Sequence, residues 1–164
     1  MNTIKPPFDE DYEKLYGTAN YKNKTVLDIG ADYGSTAHYF LEKGAKKIIA
    51  VEGDTKMFKQ LLYNFGHDKR VVPIPLWIDK PLHFGWLIRI YIPDITKIDI
   101  EGYEIHLAGV EDSILQLCEE YIIETHTKQI ETILKNKFTK NNYKTKRRLE
   151  WQPNITITHW TKQT

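Results

Sequence analysis

Short apolar runs alternate along this chain with amphipathic stretches of helical period. "KTVLDIG", "KKIIAVEG", "RVVPIPLWI" and "ITKIDIEG", with the end of "LQLCEEYIIETH", read as five largely buried strands. "STAHYFLEKG" reads as a helix starting near Ser35 and stopped by Gly44. "DTKMFKQLLYNFG" places Met57, Phe58, Leu61, Leu62 and Phe65 near helical spacing, and "KQIETILKNKF" predicts another helix. A short leading helix is predicted near Asp9–Leu15. The prolines of "RVVPIPLWI" predict an edge position or a short strand. "NYKTKRRLEW" and "NITITHWTK" alternate in polarity around Gln152-Pro153-Asn154 and predict an antiparallel hairpin, with Trp151 and Trp160 facing the core.

Strand and helix in alternation predict an α/β fold: a mostly parallel sheet, helices on both faces, and the C-terminal hairpin as an antiparallel edge. We expect a single domain over residues 1–164. Residues 1–22 form a helical lead-in, 24–126 the cofactor-binding and active-site core, and 127–164 a helix plus the hairpin. Ligands of such sheets bind beyond the carboxyl ends of the strands, so the turns after Ile29, Val51 and Ile100 are the places to seek function.

The first of these turns is Gly30-Ala31-Asp32-Tyr33-Gly34. It lacks the lysine of a phosphate-cradling Walker loop. In a dinucleotide fingerprint the second glycine lets a pyrophosphate reach the backbone, and Asp32 stands at that position. A carboxylate there repels an anionic pyrophosphate but tolerates a cationic nucleoside. S-adenosylmethionine, an adenosine bearing a sulfonium and an amino acid tail, is such a ligand. Glu52 ends the next strand, about 20 residues past the turn, where an acid binds ribose hydroxyls. Asp28 is expected to brace the loop and to lie near the cationic methionyl end. The cofactor set expected is Asp28, Gly30, Ala31, Asp32, Tyr33, Gly34, Glu52, Gly53, Trp77 and Asp99. Within it Trp77 either packs on adenine or fills the core.

Composition narrows the partners. A net charge of +1 gives no general attraction to nucleic acid or membrane, and the run Lys144, Lys146, Arg147, Arg148 reads as a solvated face. No apolar run approaches the ~18 residues of a membrane span, and the first residues lack a signal-peptide core. The single cysteine, Cys118, excludes an internal disulfide and fits a cytoplasmic location; its apolar context predicts a buried thiol.

"KIDIEGYE" supplies the acids for chemistry. Asp99 and Glu101 flank a strand end, Glu104 follows a glycine turn and could cap a helix, and His126 ends the fifth strand. Methyl transfer needs acceptor and sulfonium within about 3–3.5 Å and in line, and a hydroxyl acceptor must lose a proton. Asp99, Glu101 and His126 are the catalytic candidates, in that order. Oxygen ligands from Asp99, Glu101 and Glu124 would suit Mg²⁺, but spacing alone fixes no geometry, and no metal is expected. The remaining histidines show no ligand spacing and read as structural or surface residues.

These two constellations resemble the FkbM-type methyltransferases of the class I, Rossmann-like group. The resemblance rests on Asp28, Gly30, Ala31, Asp32 and Gly34; then Lys97, Ile98, Asp99, Ile100, Glu101, Gly102 and Glu104; then Gly109 and Val110; then Glu124 and His126. It runs in order from about Thr25 to His126 and implies S-adenosylmethionine-dependent methyl transfer, commonly to oxygen, with a small molecule, sugar or glycan as acceptor. Two departures stand out. Asp32 replaces the family's usual Asn. The stretch from Trp77 to Thr96, with Pro81, Gly85 and Pro93, looks too short for a full helix, so "WLIRIYI" reads as an extra strand or an exposed edge. A reduced acceptor pocket would follow, completed by a second copy in a homodimer or absent in a non-catalytic cofactor-binding scaffold. RNA as acceptor is the less favoured alternative, because only the Lys144–Arg148 run offers a basic face.

Overall fold

The structure is a computed structural model that describes residues 10–163. The chain divides into two compact units, the first ending at Trp77 and the second beginning at Ile78.

The first unit alternates helix and strand: α1 (Tyr12–Tyr16), β1 (Thr25–Ile29), α2 (Ser35–Glu42), β2 (Lys47–Glu52), α3 (Thr55–Phe65) and β3 (Val71–Pro75). Its strands lie parallel in the order β3-β2-β1. Val26, Leu27, Ile29 and Ile48 to Val51 are buried, as continuous apolar strands covered on both faces require. β3 pairs on one side only, with Pro73 opposite Ala50, which is the edge position its prolines predict. Asp9, the predicted start of the leading helix, lies outside the described residues; the helix begins at Tyr12, with Asp11 accepting from the Lys14 N–H. Tyr16 and Tyr21 pack on Phe40 of α2, with ring centroids 6.0 and 4.8 Å apart, and so tie the leading segment to the core.

The second unit carries α4 (Pro81–Tyr91), β4 (Ile95–Ile98), a tight helical turn at Tyr103–Gly109, α5 (Asp112–Leu115), β5 (Glu120–Thr125), α6 (Lys128–Lys140), β6 (Tyr143–Gln152) and β7 (Ile155–Lys162). Its strand order is β4-β5-β7-β6; β4 and β5 are parallel, and β7 runs antiparallel to both β5 and β6. The predicted C-terminal hairpin is therefore present, with Asn154 in the left-handed region of its turn (φ 67°). Trp160 is buried and stacks on Phe138 at 5.2 Å, whereas Trp151 is only half-buried. Trp151 thus differs from the core position expected of it, because it lies on the edge strand β6. Cys118 is fully buried, and burial pushes its thiol up to about 12, so it is the inert packing residue the sequence predicts.

The segment before β4 departs from expectation. "WLIRIYI" is neither a strand nor an edge but the greater part of α4. Pro81 occupies the first turn of the helix, where its missing N–H does no harm. Phe84, Leu87 and Ile88 are buried, at helical spacing, while Leu82, Trp86 and Ile90 form an exposed row four residues apart. Apolar residues on both faces imitate the alternation of a strand. The helix stops at Ile92 in a left-handed conformation (φ 41°), followed by Pro93. The missing helix on which the reduced acceptor pocket rested is thus present.

Two glycines test the packing independently. Gly34 (φ 99°) and Gly102 (φ 101°) both adopt a left-handed backbone, but a methyl group on Gly34 would strike the Phe65 ring, and one on Gly102 would meet nothing within 4 Å. Gly102→Ala is expected to cost about 1–2 kcal/mol from the backbone alone, and Gly34→Ala a further ~1–3 kcal/mol from the collision. At roughly 2–4 °C per kcal/mol, thermal unfolding should separate the two variants by several degrees; equal losses would contradict the Phe65 contact.

Candidate functional site

The first unit builds a loop site at the carboxyl ends of β1 and β2. The Gly30 and Ala31 N–H groups both donate to the Val51 carbonyl at 3.0 Å, so the turn continues the β1–β2 ladder. The Asp32 N–H donates to Glu52 Oε2 (2.8 Å), and the Asp54 N–H donates to Glu52 Oε1 (2.7 Å). One carboxylate therefore holds both loops. Asp32 itself is left-handed (φ 51°), a conformation that Asp and Asn tolerate better than other side-chain-bearing residues. Gly34 closes the turn by donating to the Ala31 carbonyl (2.8 Å), and Asn64 of α3 donates to the Tyr33 carbonyl (2.9 Å).

Asp28 is fully buried, and its Oδ2 accepts from the Thr36 hydroxyl at 2.6 Å. It ties the start of α2 to β1. Trp77 is 54% exposed, and its indole lies against Gly53, where a methyl group would stand 2.7 Å from Cε3. Trp77 is thus a surface plate beside the Glu52 loop and not a core residue. Every cofactor candidate from Asp28 to Trp77 belongs to this unit.

The second unit gathers acids around one imidazole. His126, just past β5, lies 2.9 Å through Nδ1 from Glu104 Oε1. Its Nε2 faces Glu101 Oε2 at 3.5 Å, Asp99 Oδ1 at 3.7 Å and Glu124 Oε1 at 3.8 Å. The Glu104 hydrogen bond, and then the charges of Glu104, Asp99 and Glu101, hold the His126 pKa up at about 9 against the opposing effect of burial. Glu104 is fully buried, and the same Oε1 accepts from the Ile100 and Gly102 N–H groups at 3.1 Å each. That bend places Glu101 (φ 52°) and Gly102 both in the left-handed region, leaving the Glu101 side chain 86% exposed. Lys97, buried in β4, reaches within 3.9 Å of Asp99 Oδ2.

The three catalytic candidates, Asp99, Glu101 and His126, thus come together, and Glu124 joins them. The partnership between Glu104 and His126 was missed: a glycine turn followed by Glu suggests a cap, and only the strand pairing of β4 with β5 brings His126 to it. The buried charge of Lys97 was also missed, although a lysine inside an otherwise apolar strand was its visible signal. In the basic run, Lys146 lies 3.8 Å from Glu120, and Arg148 makes a two-point contact with Glu131. His159, read as structural, is buried and 2.7 Å from Glu120 Oε2.

Glu52→Gln leaves one oxygen to accept and sets an NH₂ against the other backbone donor. The loss expected is about 1–3 kcal/mol, read as a lower urea midpoint at unchanged slope. An unchanged midpoint would mean that the carboxylate does not hold the loops.

No protein-family model matches the chain. Among solved structures, a protein of the NADB-Rossmann superfamily from Streptococcus agalactiae is similar, with TM-score 0.73 at 15% identity, over 98% of this chain and 71% of that one. A fibrillarin from Aeropyrum pernix, in complex with natively bound S-adenosyl-L-methionine, gives 0.63 at 14%, over 85% and 67%. A Methanococcus jannaschii fibrillarin pre-rRNA processing protein gives 0.64 at 15%, over 87% and 68%. These likenesses show the fold, which is the Rossmann-like α/β fold of class I methyltransferases. In sequence, the chain is 28% identical over 150 residues to uncharacterized protein 65 of a Sulfolobus islandicus filamentous virus, covering 85% of this chain and 77% of that one. It is 35% identical over 118 residues to uncharacterized protein 158B of Sulfolobus islandicus rod-shaped virus 1, covering 71% and 69%. The chain belongs to the family of that viral protein 158B.

Proposed function

We propose that the chain is an S-adenosylmethionine-dependent methyltransferase of FkbM type that methylates a hydroxyl of a small molecule or sugar. The observation that carries this reading is the Glu52 carboxylate, which joins the glycine turn to the next loop beside the exposed Trp77 indole. An ionised carboxylate has about four lone-pair directions. Two accept backbone N–H groups, and the others are available to ribose hydroxyls. The indole offers a face for adenine, and Gly53 lets it lie close to the loop. Asp32 adds negative charge suited to a sulfonium cofactor. S-adenosylmethionine bound to the fibrillarin of the same fold agrees with this choice.

In the second unit, Asp99, Glu101 and His126 serve the acceptor. A carboxylate there would take the hydroxyl proton of the acceptor, and S-adenosylmethionine, when bound, would supply the methyl group for the new O–C bond. RNA gains no support as acceptor from the basic run, whose Lys146 and Arg148 face acids of the chain itself. Among the described residues no helix is long and apolar enough to cross a membrane. The single cysteine, Cys118, is a buried free thiol, which suits the reducing cytoplasm. The exposed row Leu82, Trp86 and Ile90 is evenly spaced about Trp86. A two-fold axis there would match Leu82 of one copy with Ile90 of the other, and on that ground we propose a homodimer.

Calorimetric titration tests the cofactor. S-adenosylmethionine and S-adenosylhomocysteine should bind saturably, and both Glu52→Ala and Trp77→Ala should weaken binding at least tenfold, about 1.4 kcal/mol. Trp77 is exposed, so its variant keeps the fold. Absence of binding by the folded parent protein would overturn the reading.

A further inference from the structure

We propose that Asp99, Glu101 and His126 form a binding site for one divalent transition-metal cation. In sequence, Asp99, Glu101 and Glu124 offer oxygen ligands but no geometry to hold an ion. The structure supplies two reasons to place one at Asp99, Glu101 and His126.

The first is the donor set and its spacing. One ligand atom from each of the three residues lies within 4.8 Å of the other two. The carboxylate oxygens stand 3.5 and 3.7 Å from His126 Nε2, too far for hydrogen bonds to it. Ligands at about 2.0–2.2 Å from a common ion stand roughly 3–4.4 Å apart, depending on the angle between them. The two gaps to His126 Nε2 fall in that interval. Glu124 Oε1, at 3.8 Å from Nε2, stands at the same kind of distance on the β5 side. An imidazole with two carboxylates is a mixed nitrogen and oxygen set, suited to Mn²⁺ or Zn²⁺ better than to Mg²⁺ or Ca²⁺.

The second is behind the imidazole. Metal-bound histidines commonly donate their other N–H to a carboxylate, which fixes the ring and raises its basicity. Glu104 occupies that position on Nδ1 at 2.9 Å. It is fully buried, and its Oε2 has no hydrogen-bond partner among the described residues. A buried carboxylate oxygen without a donor is unfavourable. Four carboxylates surround one imidazole here: those of Asp99, Glu101, Glu104 and Glu124. Lys97 offsets one of them from the Asp99 side. The remaining negative charge is what a divalent cation would neutralise, displacing any proton from Nε2.

Such an ion supplies a Lewis acid for an oxygen acceptor; that use rests on the methyltransferase reading, whereas the binding site stands without it. The test is titration of the purified, chelator-treated full chain with Mn²⁺, followed by electron paramagnetic resonance. One equivalent should bind, with an imidazole-nitrogen coupling in the electron spin echo, and Zn²⁺ should compete for it. Glu101→Gln and His126→Gln should each weaken binding at least tenfold, and His126→Gln should remove the nitrogen coupling. Glu101 is 86% exposed, so its variant keeps the fold even where the His126 variant does not. Failure of the folded parent to bind Mn²⁺ or Zn²⁺, or binding that both variants leave unchanged, would overturn the site. S-adenosylmethionine binding, measured on the same protein and sensitive to Glu52, separates that failure from failure of the methyltransferase reading.

Discussion

Both oxygens of one carboxylate, Glu52, hold the backbone of the two loops that meet at the end of β2. Hydrogen bonds to an ionised acceptor are about twice as strong as neutral ones, and one of these links residues 20 apart in sequence. The glycine turn, the left-handed Asp32 and the N-terminus of α3 all take their positions from this contact. Asp54, whose N–H donates to Glu52, also caps α3 by accepting from the Lys56 and Met57 N–H groups. The residue that would grip the ribose is thus the one that shapes the loop around it, so the loop is organised before any ligand arrives.

The second unit repeats this economy with another acid. Glu104 takes two N–H groups from the bend after β4 and the Nδ1 side of His126 from the end of β5. A single buried side chain thereby sets the shape of the bend and the aim of the imidazole. Asp99 and Glu101 gain their common focus from the same bend. The acids that converge on His126 favour positive charge at that point, from a proton or from a metal ion.

Much of this was legible in the sequence because the signals were local. Strand runs such as "IIAVE" are buried on both faces and read directly, and Gly34 and Gly44 mark turns that only left-handed residues close comfortably. Helix α4 was obscured because Leu82, Trp86 and Ile90 leave its outer face as apolar as its inner one, erasing the helical period. Asp28, Glu52, Asp99 and His126 were legible as strand-end polar residues. The dual role of Glu104 was not, since its partner lies 22 residues away and meets it only through the β4–β5 pairing.

Glu52 and the glycine turn are proposed to hold an adenosyl cofactor. The most direct measurement is amide nuclear magnetic resonance of the labelled chain during addition of S-adenosylhomocysteine. The Asp32 and Asp54 N–H groups, both bound to the Glu52 carboxylate, should shift most, together with Gly30 to Gly34 and the Trp77 indole, while the β6–β7 hairpin stays still. Shifts concentrated on the hairpin, with the Asp32 and Asp54 amides unmoved, would contradict the account.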